Sequence, residues 1–156
     1  MDKATFRKTC AELLMQYGFA HRKGAFYLEG GAEVICSIYF QASYYGGADY
    51  LACCFTSKLL HPTLQYPTFY QTDTKMRITV PGKEPLANRE GPYETTMIKY
   101  SSYNRAELSE AIDKAMREWI LPAVEQGVSY ILTHWDRYEP IYQSEQIFAL
   151  LKQTQE

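Results

Sequence analysis

The side chains best able to do chemistry in this 156-residue chain are few and scattered. His134, Asp136 and Glu139 fall within HWDRYE, where an imidazole beside carboxylates could move a proton as general acid or base. No nucleophile or glycine-rich motif accompanies them, and the same cluster could equally end a helix through local hydrogen bonds. His21 and His61 stand apart, without metal-ligand spacing. Cys10, Cys36, Cys53 and Cys54 form no CxxC pair, and the adjacent Cys53 and Cys54 must point to opposite faces of any strand that holds them. Buried free thiols are the expectation, with no metal centre, disulfide framework or cofactor. Gly30-Gly31 and Gly46-Gly47 precede neither Lys-Ser nor Lys-Thr and open no helix, so they are read as hairpin turns and not phosphate loops. The sequence therefore assigns no catalytic residue, and a non-enzymatic role leads.

Recognition is the other chemistry on offer. The stretch SIYFQASYYGGADYLACCFT, residues 37–56, gathers Tyr39, Gln41, Tyr44, Tyr45 and Tyr50. A tyrosine has an apolar ring and a polar tip, which suits a half-buried sheet face and a binding surface equally. Gln41 shares a strand face with Tyr39 and Ser43, beside Tyr50. Its amide either satisfies that sheet environment or is presented to a partner, and both readings stay open. If the face binds, Arg22 and Lys23 border it, since they precede the adjoining strand. An uncovered face of this kind serves a homodimer as well as a foreign protein.

The elements that must position these residues follow from periodicity. Phe6, Cys10, Leu13, Leu14 and Tyr17 make one apolar stripe of a helix over 2–17, ended by Gly18 with Phe19 as the hydrophobic partner beyond it. A short strand over 25–29 and a longer one over 32–43 are joined by Gly30-Gly31 as a two-residue turn that tolerates positive φ at both positions. In the longer strand Val34, Cys36, Ile38 and Phe40 share one face. Gly46-Gly47-Ala48 turns the chain into a third strand, 49–56. Prolines punctuate 57–93, where a strand is predicted at 75–80, an exposed loop follows, and another strand is placed near 93–100. Asn104 and Glu107 form a capping box for a second long helix, with Leu108, Ile112, Ala115, Trp119 and Ile120 buried. Glu110 with Lys114 and Asp113 with Arg117 are expected as four-apart ion pairs. Pro122 must bend or interrupt the helix, and Gly127 ends it. Two shorter helices are predicted over 128–134 and 142–152.

Whole-chain properties narrow the choice. A net charge of -2 with no basic cluster argues against nucleic acid, whose binding draws on neutralised phosphates. Stacking of single strands on tyrosines is disfavoured for the same reason. The N-terminus has no signal-peptide core, and no window reaches the roughly 20 apolar residues of a membrane span, so a cytoplasmic protein is expected.

Gly18-Phe19, Arg22-Lys23, Phe26-Tyr27 and Phe40-Gln41-Ala42-Ser43, together with the tail WILPAVEQGVSYILTH, resemble the bacterial domain-of-unknown-function 4304 family. The likeness covers the first third well and the tail loosely, and 63–103 matches nothing in it. What it implies is a fold and no settled activity; antitoxins and immunity proteins of similar size and composition are an analogy in style. The resulting expectation is one α+β domain over 1–156, an antiparallel meander sheet of four to five strands with an N-terminal helix and C-terminal helices mainly on one face. Its leading role is a protein-interaction module, immunity- or antitoxin-like, binding through Tyr39, Gln41, Tyr44, Tyr45 and Tyr50. The alternative is a small-molecule-binding or enzymatic domain with a pocket between the sheet and the C-terminal helices, His134 and Asp136 at its mouth.

Overall fold

Asp2 opens the first helix, α1 (Lys3–Gln16), by accepting the Thr5 backbone N–H at 2.7 Å. The structure, a computed structural model, describes residues 1–31, 33–138, 149 and 152–153. Gly18, at φ 93°, turns the chain out of α1, and Phe19 buries itself beyond it as anticipated. A strand absent from the sequence reading follows, β1 (Ala20–Arg22), paired with β2 (Ala25–Glu29). Their two-residue turn is Lys23-Gly24, with φ of 50° and 78°, the left-handed pair that such turns require.

β2 pairs with β3 (Val34–Ala42), β3 with β4 (Ala48–Ser57), and β4 with β5 (Thr74–Arg77), all antiparallel and in chain order. The predicted strand at 75–80 divides, β5 ending at Arg77 and β6 (Val80–Pro81) pairing with β7 (Glu94–Thr95) in a separate ribbon. β8 (Ile98–Lys99) returns to the start of β4 and makes the main sheet six-stranded. The Gly30-Gly31 prediction is corrected. Neither glycine has a positive φ, and the connection runs from 30 to 33. Gly30 is small for another reason: a Cβ there would stand 2.7 Å from Val124 Cγ1. Gly46 and Gly47 do take positive φ, 77° and 71°, and the hairpin closes through Ser43 N–H to Ala48 O.

The second long helix, α2 (Arg105–Ala115), has the predicted Asn104–Glu107 capping box. Pro122 interrupts the α-helical pattern as expected, without ending the helix. A π-turn over Met116–Ile120 widens the helix just ahead of the proline and leads directly into α3 (Leu121–Gln126), which relieves the missing donor and the crowded carbonyl. Asp113 pairs with Arg117, whereas Lys114 reaches Glu94 on β7 instead of Glu110. Gly127 then turns the chain into α4 (Val128–Thr133). The helix predicted over 142–152 lies outside the described residues, Ala149, Lys152 and Gln153 excepted. Among the described residues, no helix is long and apolar enough to cross a membrane.

One core holds these parts together. Val34, Cys36, Ile38, Leu51, Cys53 and Phe55 face α1 and the C-terminal helices, where Phe6, Leu14, Ile112, Trp119 and Ile120 meet them. All four cysteines are buried, Cys53 on this helix-covered face and Cys54 on the other.

Burial pushes the thiols of Cys10 and Cys54 and the hydroxyl of Tyr100 up to about 12, and raises Tyr39 and Tyr138 as well. The folded protein therefore holds these protons more tightly than the unfolded chain. That stabilisation is complete below the ordinary values of 9.0 and 10.0 and is lost as pH rises through the folded ones. Urea midpoints followed by tryptophan fluorescence are expected to be level near neutrality and to fall steadily from roughly pH 9 upward. A level curve through pH 11 would contradict the assignment.

Candidate interaction face

The sheet has a second face, away from the helices, and strand register fixes what lies on it. Arg22, Ala25, Tyr39, Ala52 and Arg77 are successive cross-strand partners from β1 to β5, so they form one row. The neighbouring row toward the 30–33 connection is Ala20, Tyr27, Ser37, Cys54 and Lys75. On the other side Gln41 faces Tyr50. Alternation along β3 and β4 gives this face most of its aromatic and polar content, since Val34, Ile38 and Leu51 point to the core and Ile35 alone of the large aliphatic residues lies on this side.

Half of the face is covered, among the described residues by a loop segment with one short 3-10 turn at Phe69–Gln71 and by no α-helix. Residues 58–73 fold back over it, burying Ile35, Ser37, Cys54 and Thr56. The Pro67 carbonyl is the clasp. It accepts hydrogen bonds from the hydroxyls of both Tyr27, at 3.0 Å, and Tyr39, at 2.5 Å. Burial raises the pKa of both phenols. Phe69 packs edge-on against Tyr39 and Tyr66 against Tyr27. The far end of the segment is fixed by Asp73, which is buried. Its Oδ2 accepts the Ser57 N–H at 2.7 Å, and its Oδ1 stands 2.8 Å from His61 Nε2. His61, read from sequence as an isolated loop histidine, thus has a carboxylate partner twelve residues away that no local spacing signals.

Among the described residues, nothing covers the other half. Tyr39 lies at the boundary, half-buried, and lines a groove of about 590 Å³ with Arg22, Lys23, Tyr27, Tyr66 and Phe69. Gln41 and Tyr50 are partly exposed beyond it. Tyr44 and Tyr45 cap the β3–β4 hairpin at 95% and 92% exposure, their rings edge to face. Three cations lie on aromatic faces here: Arg22 on Tyr66 at 4.2 Å, Arg77 on Tyr50 at 3.7 Å and Lys75 on Phe69 at 5.3 Å. Of the five residues singled out by sequence, Tyr39, Gln41 and Tyr50 share this face, with Tyr44 and Tyr45 on the hairpin tip at its rim. The sequence missed Lys75 and Arg77 on β5, along with Tyr66 and Phe69 from the covering segment. Only cross-strand register brings Arg77 into a row with Arg22.

The hairpin that carries Tyr44 and Tyr45 has a rigid base. Asp49, fully buried, accepts two hydrogen bonds from Arg7, Nε at 2.7 Å and Nη2 at 2.9 Å, and one from the Tyr100 hydroxyl at 2.8 Å. The Tyr100 N–H donates to Gly47 O, so α1, the hairpin and the residue after β8 meet at one carboxylate.

The alternative site fares differently. The cavity between the sheet and the C-terminal helices, lined by Val34, Phe55, Ser57, Asp73, Val128 and Ile131, measures about 10 Å³, room for a single water at most. His134 and Asp136 do not line it. Both are exposed, and His134 stacks on Tyr130 with its Nδ1 3.0 Å from the Tyr130 carbonyl, the local helix-end arrangement. Glu139 lies outside the described residues.

The profile of a family described as "Domain of unknown function (DUF4304)" matches residues 10–126. The match takes in 63–103, where the sequence alone offered no counterpart, and ends at Gln126, part-way through the tail. No curated protein matches the chain, and no solved structure does.

Proposed function

The chain belongs to the DUF4304 family, and from the geometry of its second face we propose that it is a protein-interaction module, immunity- or antitoxin-like in holding another protein. One observation carries this reading. Seven large hydrophobic side chains are exposed among the described residues, and five of them, Tyr44, Tyr45, Leu59, Tyr66 and Tyr70, lie on the hairpin tip or the segment that covers this face. Exposed tyrosine in a rigid setting is what recognition surfaces use, because it offers a large ring and a polar tip at little entropic cost. The setting is rigid here, fixed by the Asp49 cluster below the hairpin and by the Pro67 carbonyl beneath the covering segment.

The test is a Gln41→Ala, Tyr44→Ala, Tyr45→Ala variant. None of the three side chains is in the core, so the variant is expected to keep its circular dichroism, and its unfolding free energy should stay within about 1 kcal/mol of wild type. It should lose a partner that co-purifies stoichiometrically with the wild-type chain from its own cells. Equal recovery of that partner by both proteins would overturn the reading.

A further inference from the structure

The open end of the face carries cations without carboxylates. Away from this face Lys3, Lys8 and Arg89 also pair with no acid, while eight other lysines and arginines do, in eight salt bridges among the described residues. Arg22, Lys23, Lys75 and Arg77 belong to none of them. Three of these four lie on aromatic rings instead, Lys75 also donating to the Thr72 carbonyl at 2.9 Å at the edge of the cover, and Arg77 Nε is buried with no hydrogen-bond partner. The one acid that the strands place on this face, Glu29, is engaged by Lys58 at the covered end. A chain that is acidic overall thus shows a locally cationic surface, framed by tyrosines.

Deepening the interaction reading and resting on it, we propose that the partner presents an acidic, extended segment of polypeptide to this face. Arg22 and Arg77 stand at opposite ends of one row, four strand spacings or about 19 Å apart. An extended segment of roughly six residues covers that distance. Carboxylates near its two ends meet the guanidiniums, whose planar donor edges suit them. The middle lies over Tyr39 and against the Gln41 amide, which can bond peptide groups. Two other occupants fit less well. Single-stranded nucleic acid stacks successive bases on aromatic rings along a groove, and here Tyr50, Tyr66 and Phe69 each already hold a cation, which leaves Tyr44 and Tyr45 at the rim as the free rings. A two-fold contact with a second copy would set the same four cations against one another.

The probe is acetylated octaglutamate, titrated at low salt into the labelled full chain and read by amide chemical shifts. Shifts are expected at Arg22, Lys23, Gln41, Tyr50 and Arg77, and they should fade as salt screens the charges. An Arg22→Glu, Arg77→Glu variant is expected to bind at least about tenfold more weakly. Both side chains are exposed or partly exposed, so the variant should remain folded; should it not, Arg22→Gln with Lys23→Gln replaces it. Shifts elsewhere or none, tighter binding of a thymidine dodecamer at this face, or charge reversal without effect would each overturn the proposal. If the natural partner survives charge reversal but not the Gln41, Tyr44, Tyr45 variant, the acidic-segment inference falls and the interaction reading stands.

Discussion

Replacing Asp49 by alanine is expected to lower the unfolding free energy by about 3–5 kcal/mol. The carboxylate is fully buried and receives three hydrogen bonds, two from Arg7 and one from Tyr100. Its removal leaves the Arg7 guanidinium beside Phe40 without its counter-ion and the Tyr100 hydroxyl without an acceptor in a buried setting. In thermal denaturation the midpoint should fall by on the order of 10 °C. A third of the Arg7 side chain is exposed, so the loss belongs to the severed hydrogen bonds as well as to the uncompensated charge. A second substitution, Arg7→Met in the Asp49→Leu background, should therefore recover much of it. A single alanine variant within 1 kcal/mol of wild type would contradict the account. The effect reaches the proposed function, since Asp49 sits at the base of the hairpin that presents Tyr44 and Tyr45.

Asp73→Ala is expected to cost about 1–3 kcal/mol, because the buried Ser57 N–H loses its acceptor and His61 loses its partner. The more telling change is local. Asp73 fastens residues 58–73 across the second face, so its loss should loosen that cover while the helix-covered core persists. Cys54, buried beneath the segment on this face, should become the first of the four thiols to react with a thiol reagent in native buffer. Cys10, Cys36 and Cys53 should stay protected. Limited proteolysis should cut within 58–73 earlier than in wild type. Unchanged protection of Cys54 would show that the segment holds without its carboxylate.

Local signals made the scaffold legible and hid the cover. Asp2 to Gly18 and Asn104 to Trp119 read directly because caps and a 3.6-residue stripe are written in neighbouring residues. β3 and β4 read from two-residue alternation, and with them the shared face of Tyr39, Gln41 and Tyr50. Lys23-Gly24 escaped because lysine is not a residue of choice for positive φ, and β1 is three residues long. Gly30 was misread because its smallness serves the approach of Val124 and not a turn. Residues 58–73 have no periodicity at all. They are placed by tyrosine hydroxyls that reach Pro67 from 28 and 40 residues away and by a carboxylate under a loop, which only the folded chain brings together. Arg77 joined the site for the same reason, through register across four strands.

The central claim is that the second face and its hairpin tip meet another protein. The most direct measurement is paired photo-crosslinking in the cells that make the chain, with a photoreactive phenylalanine at position 45 or, as control, at position 114 on the far side. The account predicts one discrete adduct from position 45, lost when Gln41 and Tyr44 are replaced by alanine, and none of that mass from position 114. Adducts of equal yield from both positions, or from 114 alone, would contradict it.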